Sequence, residues 1–89
     1  MESSRPYRIL IKRSAAREIE AIGQRRDRER VMARIARLAD DPRPPGSTKL
    51  SGQEAYRVRQ GDYRIVYTIE DDILTVEIVK VGHRRDVYR

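Results

Sequence analysis

The segment Pro42-Arg43-Pro44-Pro45-Gly46-Ser47 divides the chain into two kinds of hydrophobic periodicity, and that division restricts the possible folds most. Before it, Ala15, Ile19 and Ile22, and then Val31, Ile35 and Leu38, recur at the spacing of one helix face. After it, Tyr56 and Val58 alternate with Arg57 and Arg59, and Tyr63, Ile65, Tyr67 and Ile69 alternate with Arg64, Val66 and Thr68, as in half-buried strands. A helical half and a strand half each leave one apolar face bare, so neither half builds a core alone. The proline-rich stretch therefore reads as a stiff loop inside one domain covering residues 1–89.

Local signals complete the order. Tyr7 to Lys12 is β-branched and aromatic and reads as a first strand. Ser14 stands where a helix N-cap belongs and Gly23 where a helix stops; a second helix runs from Asp27 to Asp40-Asp41-Pro42. The short connection between them predicts a helix hairpin. Gln60-Gly61-Asp62 and Glu70-Asp71-Asp72 read as turns joining three strands, the last being Ile73 to Val81. The predicted architecture is α+β, β-α-α-β-β-β, with a mainly antiparallel four-stranded sheet and a two-helix hairpin on one face.

Composition narrows the function classes. The chain has 89 residues and no cysteine, which removes disulfides and thiolate metal sites and points to the cytoplasm. One histidine cannot form the acid/base pair of a two-histidine ribonuclease, and no phosphate-cradling glycine loop or Ser-His-Asp set is visible. No metal or small-molecule cofactor is expected. The absence of a long apolar run sets membrane insertion aside. The net charge of +6 and pI near 10.2 favour a polyanion, and 17 of the 20 basic residues are arginine, whose planar fork suits phosphate. Charge alternates in blocks: residues 5–39 carry a surplus of seven positive charges, residues 70–79 four negative, and residues 80–89 three positive.

The hairpin concentrates the cations. If Gln60-Gly61 or Gly61-Asp62 is a two-residue turn, Arg57 or Arg59 stands opposite Arg64, and all three share one sheet face. Like charges across a strand pair are destabilising, so this face is either solvated or built for an anion. Gly82 interrupts the last strand and would turn Arg84 or Arg85 and Tyr88 back toward the arginines. Arginine forks with an aromatic ring are the general equipment for holding single-stranded RNA.

With Lys49-Leu50-x-Gly52, Tyr56-Arg57-Val58-Arg59-x-Gly61-Asp62-Tyr63-Arg64-Ile65-Val66-Tyr67 and Val81-Gly82-His83-Arg84-Arg85-Asp86-Val87-Tyr88 in this order, the chain resembles the RelE branch of the RelE/ParE toxins. The resemblance covers nearly the whole length. It implies a fold similar to small microbial ribonucleases and a toxin that enters the ribosomal A site and cuts mRNA, held in check by a cognate antitoxin protein. It implies that Arg57 and Arg59 orient the RNA and help activate the attacking 2′-hydroxyl. Arg64 then grips the scissile phosphate, Arg84 assists the phosphate or the leaving oxygen, and Tyr88 orients the base. Lys49, His83 and Arg85 are the accessory RNA-binding positions. The best-known members carry lysines where this chain has Arg57 and Arg59. Arginine keeps its proton, so catalysis here would lean on charge and geometry, with His83 or Tyr88 as candidates to move the proton. Replacing Arg64 with Ala is expected to remove activity and keep the fold. The second reading is a ParE-like gyrase inhibitor or an inactive RNA-binding relic of the same fold.

Overall fold

The computed structural model describes residues 6–84. Strand β1 (Arg8–Ile11) leads into helix α1 (Arg13–Glu20), which is followed by helix α2 (Arg25–Arg37). Then come strands β2 (Thr48–Lys49), β3 (Tyr56–Gln60), β4 (Tyr63–Glu70) and β5 (Thr75–His83). They form one sheet in the order β1-β5-β4-β3-β2, antiparallel throughout except for the parallel pair β1 and β5. The predicted α+β class and element order hold. The sheet has five strands where four were expected, because β2 is only two residues long, too short to show a period of its own.

The core forms where the two periodicities meet. Ala15, Ile19 and Ile22 from the first helical segment and Val31, Ile35 and Leu38 from the second pack on Val58, Ile65, Tyr67, Val76, Ile78 and Val81. Arg28 donates from Nη1 to the Ile22 carbonyl at 3.0 Å, tying the start of α2 to the end of α1. The Tyr67 hydroxyl crosses the core edge and donates to the Pro42 carbonyl at 2.7 Å, so the proline-rich loop is anchored from below. Burial pushes that phenol up to about 12. On the same side Tyr56 stacks on Tyr67 with centroids 5.9 Å apart, and the Arg43 guanidinium lies over the Tyr56 ring.

Three local expectations are corrected. Ser14 does not cap α1: Lys12 is the cap residue, with no side-chain cap bond. The chain enters the helix straight from β1, because the Lys12 N–H still donates to Ile78 in the sheet while its carbonyl accepts from Ala16. The last strand begins at Thr75, not Ile73. Glu70 pairs with Thr75, so residues 71–74 make the connection, a 3-10 turn closed by Leu74 in the left-handed region at φ 47° that leaves Ile73 58% exposed. Gly82 does not break β5; it lies within the strand and pairs with Arg64. The irregularity comes earlier. The β4–β5 register slips between Val66 and Tyr67, leaving Val79 as the extra residue of a bulge.

Candidate RNA-binding face

The hairpin between β3 and β4 closes through Gly61-Asp62, since Gln60 pairs with Tyr63. Gly61 takes φ +60°, and Asp62 is not in the positive-φ region, the pattern of a type II′ turn with glycine at its first central position. That register decides between the two sequence alternatives: Arg59, not Arg57, stands directly opposite Arg64, while Arg57 pairs with Val66. Directly paired residues share a sheet face, so Arg57, Arg59 and Arg64 line the face away from the helices. The other face takes Val58, Ile65 and Tyr67 into the core.

The three arginines are not equivalent. Arg59 is exposed and Arg57 half-buried, whereas Arg64, on the central strand β4, is only 5% exposed. On its far side Arg64 is paired with Gly82, a position with no side chain. The arrangement is a floor, Arg64, with exposed guanidinium charge beside it. Burial also changes what an Arg64→Ala exchange would do, because removing a buried side chain disturbs packing as well as charge. The Arg84 N–H donates to the Asp62 carbonyl at 2.7 Å, bringing the chain after β5 to the hairpin tip. Arg57, Arg59, Arg64 and the Arg84 backbone are thus gathered at one end of the sheet.

Two further sequence candidates lie elsewhere. Lys49 pairs with Tyr56 and therefore belongs to the opposite face, where it meets Glu54 at 3.7 Å. His83 pairs with Tyr63 and meets its ring edge-on at 5.6 Å, again on the helix side. There an open cleft of about 400 Å³ lies between α1 and the ends of β4 and β5, with Glu18, Ile22, Tyr63 and His83 in its wall. Arg85 and Tyr88 lie outside the described residues.

The outer sheet face is polarised along its length. At the end remote from the hairpin, Glu70 and Glu77 gather with Leu10, Thr68, Ile73 and Thr75 around a shallow hollow. Six residues of strand, or about 20 Å, separate Arg64 from Glu70. A polyanion would be attracted at the hairpin end and repelled at the other. Sequence reading did not pick out Glu77 as part of this face, although its two-residue spacing from Thr75 placed it there.

Another cluster escaped sequence reading because it draws on distant segments. Asp71, in the turn before β5, accepts hydrogen bonds from the Tyr7 hydroxyl at 2.6 Å and from Arg43 Nη2 at 3.0 Å. Arg43 Nε also reaches the Tyr56 hydroxyl at 3.2 Å. The bonds from Arg43 and Tyr7 hold the Asp71 carboxyl below its usual range, and the same bond to Asp71 pushes the Tyr7 phenol up. The cluster clips the proline-rich loop to the sheet. Among the described residues no group of three or more His, Cys, Asp or Glu comes together as a metal site, and no helix is long and apolar enough to cross a membrane.

The family model for the ParE toxin of the type II toxin-antitoxin system, parDE, matches residues 9–88. Toxin RelE of Mycobacterium tuberculosis is 30% identical over 90 residues, covering 100% of this chain and 93% of the relative. Toxin RelG of the same organism is 31% identical over 87 residues, covering 94% and 98%. The crystal structure of the M. tuberculosis toxin-antitoxin complex RelBE2 contains a chain that superposes with TM-score 0.75 at 26% identity, covering 89% of this chain and 99% of that one. The fold, the family match over residues 9–88 and the relatives agree: the chain belongs to the ParE toxin family of type II toxin-antitoxin systems, as a RelE-like member of the RelE/ParE superfamily.

Proposed function

We propose that this toxin is a ribosome-dependent endoribonuclease that cleaves mRNA in the ribosomal A site and so stops translation. The observation that carries the reading is the meeting of Arg59 with Arg64 across the hairpin, with Arg57 on the same face and Arg84 tied to the hairpin tip. In the reaction the 2′-oxygen attacks the adjacent phosphorus and the bond to the 5′-oxygen breaks, leaving a 2′,3′-cyclic phosphate and a 5′-hydroxyl. Arg57 and Arg59 orient the RNA, Arg64 holds the scissile phosphate, and Arg84 stabilises the departing oxygen. Cations at these points favour the transition state, in which negative charge builds on the phosphorane.

Arginine supplies charge and geometry here, not a base. His83, across the sheet from Arg64, is not given the proton-transfer step; Tyr88 is the remaining candidate, with base orientation as its other role. The ribosome completes the site by holding the mRNA in line for attack. Its RNA has a second cationic surface to meet: Arg26, Arg30 and Arg37 are exposed on α2 and fall within one narrow arc of the helix. A cognate antitoxin is the other partner, as in the RelBE2 complex, and the proposed place of action is the cytoplasm.

The termini of the product test the chemistry. Purified toxin added to translating ribosomes should yield fragments ending in a 2′,3′-cyclic phosphate, while DNA supercoiling by gyrase proceeds unchanged. Blocked supercoiling with intact mRNA would instead establish the gyrase-inhibiting reading.

A further inference from the structure

The parallel neighbour of β5 runs out before β5 does. β1 ends at Ile11, and the last bond between them joins the Lys12 N–H to the Ile78 carbonyl at 2.9 Å. β5 continues through the Val79 bulge to His83, and this distal half carries Gly82 against Arg64 and leads into Arg84. A strand with one free side beyond a bulge has an unsatisfied edge and a local swivel. At Val81 the edge is not free: its N–H donates to Glu18 Oε1 at 2.7 Å, and Lys80 Nζ meets Glu18 Oε2 at 3.1 Å. Among the described residues, an α1 carboxylate takes the place beside β5 where β1 has ended.

We infer that Glu18 is a positioning residue for the arginine face. Its backbone bond at Val81 fixes the distal half of β5, and through it the placement of Gly82 beside Arg64 and of Arg84 at the hairpin tip. Glu18 touches no reacting atom, because it lies on the helix side of the sheet. The inference rests on the cleavage reading for its catalytic consequence, and on geometry alone for the bond itself. The Val81 bond does the positioning; the ion pair with Lys80 is exposed enough to contribute little.

Three variants separate these contributions. Glu18→Ala removes both bonds, Glu18→Gln keeps a carbonyl acceptor for the Val81 N–H, and Lys80→Met removes only the ion pair. In the ribosomal cleavage assay, Glu18→Ala should lower kcat by about tenfold or more with KM little changed, since misplacement of a reacting group by a fraction of an ångström has effects of that order. Glu18→Gln should stay near the wild type, and Lys80→Met, which also removes a cation from the face that carries Arg57, should leave exchange at Val81 near the wild type. Amide exchange at Val81 and Arg84 should accelerate in Glu18→Ala alone, with β3 unaffected. Unchanged kcat in Glu18→Ala, equal impairment in Glu18→Gln, or equally accelerated exchange at Val81 in Lys80→Met overturns the inference. A wild-type protein that leaves mRNA intact overturns the cleavage reading instead, and the strand-fixing role is then decided by the exchange rates.

Discussion

At the scale of single residues, exposure separates the two arginines that meet across the hairpin. Arg59 is solvent-facing, so Arg59→Ala should leave the thermal midpoint within about 2 °C of wild type while lowering cleavage by about tenfold or more. Arg64 is buried, and Arg64→Ala should lose stability, by about 1 to 3 kcal/mol, together with activity. Arg64→Lys is the sharper probe, since it keeps the stem and charge but loses the fork. A denaturant titration beside the cleavage assay distinguishes the cases. Full activity in Arg64→Lys would assign the residue a charge and no phosphate-gripping geometry. Tyr67 makes a structural claim of the same size. Tyr67→Phe removes the hydroxyl from the Pro42 carbonyl and should cost about 1 to 2 kcal/mol, read from the shift in urea midpoint. Because burial raises the Tyr67 phenol to about 12, its protonated form is favoured by folding. That contribution is fully present below the unfolded tyrosine value of ~10 and is lost as pH rises toward 12.

At the scale of elements, the hairpin turn sets the register of the site. Gly61→Ala forces a side chain into φ +60° and should cost about 1 kcal/mol or more. If the turn relaxes to a longer loop, Arg59 no longer faces Arg64 and cleavage falls further than stability. The clip around Asp71 makes the opposite kind of prediction, confined to acid. Its carboxyl is held below the ordinary range, so its stabilisation is present above the unfolded carboxylate value and lost as pH falls through the folded one. Asp71→Asn should flatten the acid limb of the stability profile and leave neutral cleavage unchanged. How legible these elements were depended on how local their signals are. Alternation in residues 56–69 predicted β3, β4 and the shared arginine face, because strand parity needs only neighbouring residues. It did not resolve which turn residues closed the hairpin, since both alternatives contain Gly61 and preserve parity. The bulge at Val79 left a visible trace: the buried positions Val76, Ile78 and Val81 change spacing from two to three. The Arg43–Asp71–Tyr7 clip and the Glu18 bond to Val81 left none, because each joins segments distant in the chain.

At the scale of the whole molecule, charge is distributed on two sides. The sheet presents Arg57, Arg59 and Arg64 at one end, with Glu70 and Glu77 at the other, and α2 presents Arg26, Arg30 and Arg37 on the far side of the helix layer. If α2 meets ribosomal RNA, toxin binding to ribosomes should weaken steeply with salt, and replacing Arg26, Arg30 and Arg37 with Gln should flatten the slope of log affinity against log salt by about 2 to 3. An unchanged slope would remove α2 from the interface. The cleavage reading rests on the sheet face, and 5′-end mapping of a defined mRNA in a purified translation system, with and without ribosomes, decides it. New 5′ ends are expected within A-site codons only when ribosomes are translating, with a drop of about tenfold or more in Arg59→Ala. Intact mRNA with a folded sample, or the same cuts without ribosomes, would contradict that reading.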